Sequence, residues 1–249
     1  MTLSPARRSD AGHVVFARYA FPPNELGYCG PDGAGELLSH AATGSGAATM
    51  TRRARAFDGA WPYLEVIAAA VGIGDPLDPR VVDAYWVGND LLDAVEPARL
   101  LDALGERFAG QVGGFWRRVT PDLTPLAHHS FQVLAVYPWV GLLGTGSPVP
   151  LSVLDSCRIR WGTVTAVDGE HATVTSCPLT FASGVLSLGS EREERVRWAL
   201  AGEALAGGLA VGDRVSLHWD WVCDRLSSDQ LDALAEASAR QLDLANRYT

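Results

Sequence analysis

The sequence predicts an α+β chain in two parts, a mainly helical domain over residues 1–150 and a small β-barrel with a terminal helix over residues 151–249. Three observations carry this. Apolar residues recur at helical spacing before residue 144 and at a spacing of two after residue 157. The stretch 144–150, Gly-Thr-Gly-Ser-Pro-Val-Pro, is made of turn formers and separates the two patterns. The second part then offers short strands punctuated by turns, with Asp168-Gly169 as a hairpin signal.

The elements follow in order. Residues 33–40 read as a short helix, and 41–51, rich in Gly, Ala, Ser and Thr, as a flexible loop. Trp61-Pro62 opens a helix with Leu64, Ile67, Ala68 and Val71 on one face, ended by Gly72 and Gly74. Asp78 caps the next helix with Pro79 in its first position, and Val82, Tyr85 and Trp86 form its apolar side. Pro97 opens a third helix with Leu100, Leu101, Leu104 and Phe108 on one stripe. Residues 122–136 read as a helix or as a helix leading into a strand, and the apolar run 131–143 reads as buried. Trp61, Tyr63, Trp86, Trp116, Tyr137 and Trp139 are core candidates. In the second part, 158–167 alternates polar and apolar, and 172–175 returns from the hairpin. Residues 185–188 and 214–222 read as strands, and 191–205 as either a helix or strands turning at Ala201-Gly202. A helix over 227–247, capped by Ser227 or Ser228, carries a stripe of Leu231, Leu234, Ala235, Ser238 and Leu242.

Composition narrows the function. With 29 acidic against 20 basic residues the net charge is -9, which disfavours nucleic acid and anionic membranes as partners. All 20 basic residues are Arg. Schiff-base and P-loop chemistry, which need a lysine amine, are therefore excluded. No apolar run of about 20 residues and no leader-like segment is present, so a cytoplasmic protein is expected. There the four cysteines, Cys29, Cys157, Cys177 and Cys223, are expected as thiols. No Cys-x-x-Cys pair occurs, which argues against a structural zinc site.

The second part has a family resemblance. It begins Cys157-Arg-Ile-Arg-Trp-Gly162-Thr-Val164 and passes through Gly169-Glu-His-Ala172-Thr-Val174. It then reaches Val211-Gly212-Asp213-Arg-Val215-Ser-Leu217-His218-Trp219 and ends in an acidic amphipathic helix. This order resembles the HypC/HupF family of [NiFe]-hydrogenase maturation chaperones over residues 155–245. The resemblance implies an OB/SH3-like barrel, and an essential cysteine and histidine at Cys157 and His218. It also implies an iron cargo bearing cyanide and carbon monoxide, Fe(CN)2CO. The implied partners are a HypD-like protein and a hydrogenase large subunit. The chain departs from the family in three ways. Its cysteine is internal, Trp161 stands where the family has Pro, and extra residues fall near 189–207. The first part, with Phe21-Pro-Pro-Asn-Glu-Leu-Gly-Tyr-Cys29-Gly-Pro and Trp61-Pro-Tyr-Leu-Glu65, resembles an uncharacterised actinobacterial family.

A thiolate with a neutral imidazole suits a soft transition metal and leaves positions open for transfer. Cys157 and His218 are thus the candidate ligands, with Asp155 or Asp220 orienting the imidazole from behind. Cys29, in a loop punctuated by Gly and Pro, and one of His128 and His129 are candidates to complete the site across the two parts. Adjacent residues point in different directions, so only one of the two histidines is expected to take part. Two other readings stay open. In one, Cys29 or Cys157 is a thiolate nucleophile served by a histidine; in the other, the chain is a metal-free interaction protein.

Overall fold

The computed structural model describes residues 11–110 and 123–247; Trp116 and Asp122 lie outside the described residues. Helices come first, then a strand-rich region, then a final helix. The order is α1 (Gly12–Glu25), α2 (Ala34–Thr43), α3 (Ala47–Ala54), α4 (Trp61–Ala70), α5 (Pro79–Trp86) and α6 (Pro97–Phe108). One helical turn, α7 (His129–Phe131), runs into a π-turn over Gln132–Val136, and α8 (Val149–Cys157) follows. The strands are β1 (Arg160–Asp168), β2 (His171–Ser176), β3 (Leu179–Ala182), β4 (Val185–Leu188), β5 (Arg192–Arg197), β6 (Ala199–Leu200), β7 (Glu203–Ala204), β8 (Arg214–His218) and β9 (Trp221–Arg225). Helix α9 (Ser228–Ala245) ends the described chain.

Start signals behave as their chemistry requires. Asp78 accepts from Arg80 N–H at the head of α5, with Pro79 in the first position where its missing N–H costs nothing. Ser227 and Gln230 form a reciprocal capping box on α9. Two local readings are corrected. Residues 41–51 are not one loop, because α2 continues to Thr43 and α3 begins at Ala47, leaving a short break with Gly44 and Gly46 in left-handed conformation. The strand expected over 214–222 is two strands, β8 and β9, joined by the turn Trp219-Asp220.

Helix α1 has no amphipathic signature because it has no solvent face to speak of: Phe16, Ala17, Tyr19, Ala20 and Phe21 are all buried. Pro22 and Pro23 fall in its last turn. It packs on α2 and α5 on one side and on β8 and β9 on the other. Polar contacts fasten it there. Tyr19 Oη lies 2.8 Å from Ser216 Oγ, Arg18 pairs with Asp224 at 3.0 Å, and Glu25 receives Arg197 and the Trp221 indole N–H.

The principal strands pair in the order β1-β2-β5-β9-β8, and β8 returns to β1. All pairings are antiparallel except β5 with β9, which meet at Arg197 and Trp221. Val164, Val174, Val196, Val215, Leu217 and Val222 fill the space inside. Gly162 sits where β1 crosses close to β2, and a Cβ there would come 2.4 Å from Thr175 O. The residues 191–205 resolve as strands, with β6 and β7 turning at Ala201-Gly202. The largest apolar core ignores the boundary at residue 150. Ile159, Trp221, Cys223, Leu226 and Leu234 belong to the same cluster as Phe16, Tyr63, Leu64 and Trp86.

Candidate metal centre

Cys157 is the last residue of α8, not the first of a strand, and β1 begins three residues later at Arg160. His218 is the last residue of β8. His129 opens α7. The fold brings the three together: one donor atom from each of His129, Cys157 and His218 lies within 4.8 Å of the other two. Such a His-Cys-His cluster could hold a metal ion.

The β8–β9 turn is built to hold this corner. Trp219 adopts φ +53°, a left-handed conformation unusual for a bulky side chain. Its N–H donates to Ser156 O at 2.7 Å and its carbonyl accepts from Arg160 Nη2 at 2.6 Å. Arg160 also donates to the carbonyls of Asp155 and Ser156 and pairs with Glu194. One buried guanidinium thus ties the end of α8 to the end of β8, fixing Cys157 against His218.

The proton positions follow from the partners. Tyr19 O can only accept, so His218 Nδ1 donates to it at 2.7 Å. This leaves Nε2 of a 1% exposed imidazole with a lone pair and no partner. For His129 the count does not close. Three short contacts form a chain: Gly59 O to Tyr85 Oη at 2.6 Å, Tyr85 Oη to His129 Nδ1 at 3.0 Å, and His129 Nε2 to Cys157 O at 2.9 Å. A neutral imidazole and one phenol supply only two protons for these three contacts. A third would come from protonating His129, but burial holds its pKa down to about 4. His129 Nε2–H donates to Cys157 O unless a cation takes the place of that proton, and a cation there would balance the chain. His129 Nδ1 then donates to Tyr85, and Tyr85 donates to Gly59 O. Both histidines would then present Nε2 to an ion while a backbone or phenol oxygen anchors Nδ1, the usual support of a ligating imidazole.

The thiols fit the same picture. Burial pushes the Cys157 thiol well up, with the nearby Cys29 adding to the effect, and burial pushes Cys29 up to about 12. Without a cation both stay protonated near neutral pH, whereas a bound metal displaces the thiol proton.

A cavity of about 250 Å³ opens beside the cluster, walled by Phe57, Tyr85, Trp86, Tyr137, Trp139 and Val153. Cys29 lines it, but its thiol stands outside the three-donor cluster. At the mouth the Tyr28 ring, 54% exposed, stacks on Trp219 with centroids 4.2 Å apart. Gly30 carries this loop at φ +79°, and a Cβ there would strike the Phe57 ring at 2.3 Å.

Of the residues singled out by sequence, the structure joins Cys157 to His218 and chooses His129 over His128. His128 is buried, and its Nδ1 accepts from Ser130 N–H, so the lone pair caps α7. Neither expected orienting carboxylate takes that role. Asp155 accepts from Arg158 and from Leu179 N–H, both at 2.9 Å, because it lies in the last turn of α8 beside the start of β3. Asp220 is exposed on the turn and pairs with Arg197 at 2.9 Å. The Tyr19 carbonyl and Tyr85 orient the imidazoles instead. Neither carries a sequence signal, since one is backbone and the other looks like any core tyrosine. Cys177 and Cys223 lie outside the cavity wall.

The family of unknown function DUF6390 matches residues 8–249. The chain belongs to this family. Comparison with curated proteins and with solved structures finds no match. The DUF6390 match runs through both the helical and the strand-rich regions, as the shared core does. Among the described residues no helix is long and apolar enough to cross a membrane.

Proposed function

We propose that this DUF6390 chain holds one first-row transition-metal ion through Cys157 Sγ, His218 Nε2 and His129 Nε2, and works as a metal carrier or assembly factor. The observation that carries the reading is the convergence of a thiol with two buried imidazoles, of which His218 has its Nε2 without a hydrogen-bond partner. Three protein donors leave a position open toward the cavity, as exchange of an ion or its ligands requires. The resemblance of residues 155–245 to HypC/HupF supports iron as the ion. It makes Fe(CN)2CO, destined for a [NiFe]-hydrogenase, the cargo, with a HypD-like protein as the partner. The closed strand pairing, read as a small barrel followed by a helix, supports the same assignment. The raised thiols weigh against the alternative of a cysteine nucleophile.

The test is anaerobic purification from a host with active hydrogenase maturation, with metal analysis and infrared spectroscopy of wild type and Cys157→Ser. Stoichiometric iron with cyanide and carbon monoxide bands, both lost in the variant, is the expected result. Metal without such bands removes the cargo assignment and keeps the centre. A metal-free wild-type protein overturns the reading altogether.

Tyr85→Phe probes the proton chain. It leaves the ring in place but removes the group that holds His129 Nδ1, so metal affinity is expected to fall roughly 10- to 100-fold. Competition with a chelator of known affinity measures this, and an unchanged affinity would exclude His129 as a supported ligand.

A further inference from the structure

We infer that the cavity beside the cluster is a binding site for a neutral, flat aromatic molecule the size of two fused rings. The inference goes beyond the proposed metal centre and does not depend on it, because the wall that carries it belongs to the metal-free chain.

The wall sets the chemistry. Phe57, Tyr85, Trp86, Tyr137, Trp139 and Trp219 line the cavity. Ring surfaces of this kind pair best with another ring, offset or edge-on. None of the described lining residues is Asp, Glu or Arg. A charged guest would therefore lose its hydration and find no counter-ion. An apolar cavity of roughly 150 Å³ suffices for benzene. The cavity here, of about 250 Å³, leaves room for a second fused ring.

The space is also held open. Apolar side chains ordinarily close such gaps, because a lining atom without a neighbour forfeits dispersion energy. Here the rings are fastened from behind. Phe57 meets Phe16 edge-on with centroids 5.3 Å apart, and it fits against Gly30, where a Cβ would strike its ring. Trp86 stacks on Tyr19, with centroids 5.3 Å apart and planes 11° apart. Tyr85 Oη is held between Gly59 O and His129. Tyr137 Oη lies so near Gly59 that a Cβ there would come 2.5 Å from it. Phe16 and Tyr19 are buried residues of α1, so the wall is anchored in the main core. A ring-lined space that core packing keeps from collapsing is a preformed site. The open position of the proposed ion points toward this same space, so a loaded cargo and the guest exclude one another.

The test is isothermal titration calorimetry of the full chain in EDTA, with indole, cyclohexanol, 2-naphthoate and tryptamine as probes. Indole is expected to saturate one site. Cyclohexanol, neutral but not flat, is expected to bind roughly tenfold more weakly. The two charged bicyclic probes are expected to bind at least about a hundredfold more weakly. Val153 lines the cavity from α8, and Val153→Phe puts a ring in the guest's place. Indole affinity is expected to fall at least about tenfold in that variant, and by less in Val153→Leu, with a cooperative thermal melt showing that each is folded. No saturable indole binding, cyclohexanol or a charged probe bound as tightly as indole, or unchanged indole affinity in the folded variants would each overturn the inference. The probe comparison in wild type decides it even where neither variant folds. Because EDTA keeps metal out of the measurement, the result is separate from the metal analysis that tests the centre.

Discussion

Acidifying the metal-free protein from pH 6.5 toward pH 4 is expected to unfold it progressively. A histidine in the unfolded chain takes up a proton near pH 6.5. In the folded chain, burial holds His129 down to about 4, His128 down to about 3, and His218 well below its ordinary value, with His129 nearby pushing the same way in the last two cases. Between those values and pH 6.5 the unfolded chain binds more protons than the folded one. Their effect on stability is therefore slight above pH 6.5 and grows as the pH falls, by ~1.4 kcal/mol per pH unit for each histidine once well below pH 6.5. Equilibrium urea unfolding at pH 7, 6 and 5 measures the slope. Stability that is flat across this range would mean the imidazoles are not buried neutral as described. A saturating metal ion should raise stability at pH 7 and lose part of that advantage on acidification, because protons compete for the same Nε2 atoms.

Arg160→Met is expected to cost about 3–5 kcal/mol, since it leaves the Glu194 carboxylate and three carbonyl oxygens without their shared donor. The methionine retains much of the side chain's apolar volume, which isolates the charge. Thermal and urea denaturation give the magnitude. Adding Glu194→Gln in the same chain should recover part of the loss, because the stranded carboxylate is then neutral. Metal affinity should fall as well, since the guanidinium is what ties the end of α8, with Cys157, to the turn that follows His218. A variant with wild-type stability would show that this buried pair holds nothing in place.

Much of the fold could be read along the chain because its signals are local. Asp78-Pro79, Pro97 and Ser227 start helices through hydrogen bonds and backbone angles set within a few residues. The hairpin at Asp168-Gly169 is of the same kind. Helix α1 escaped for the opposite reason. It is wrapped on all sides, by α2, α5, β8 and β9, so its residues show no periodic contrast between core and water. Residues 41–51 misled through composition, because Gly44 and Gly46 mark the ends of two helices and not a long loop.

At the site, residue type named Cys157, His218 and the His128–His129 pair, and a soft metal was legible from thiol and imidazole alone. The sequence by itself determined several helix starts, the change from helical to alternating spacing after residue 157, and the donors available. Only the tertiary structure decided which donors meet. Choosing His129 over His128 depends on a lone pair spent on Ser130 N–H. Orienting the imidazoles depends on Tyr19 O and on Tyr85, 199 and 44 residues away from the histidines they support. The physical reason is range. Capping and periodicity act within a turn or two of chain, whereas coordination geometry is set by packing between segments whose separation in sequence carries no record of their contact.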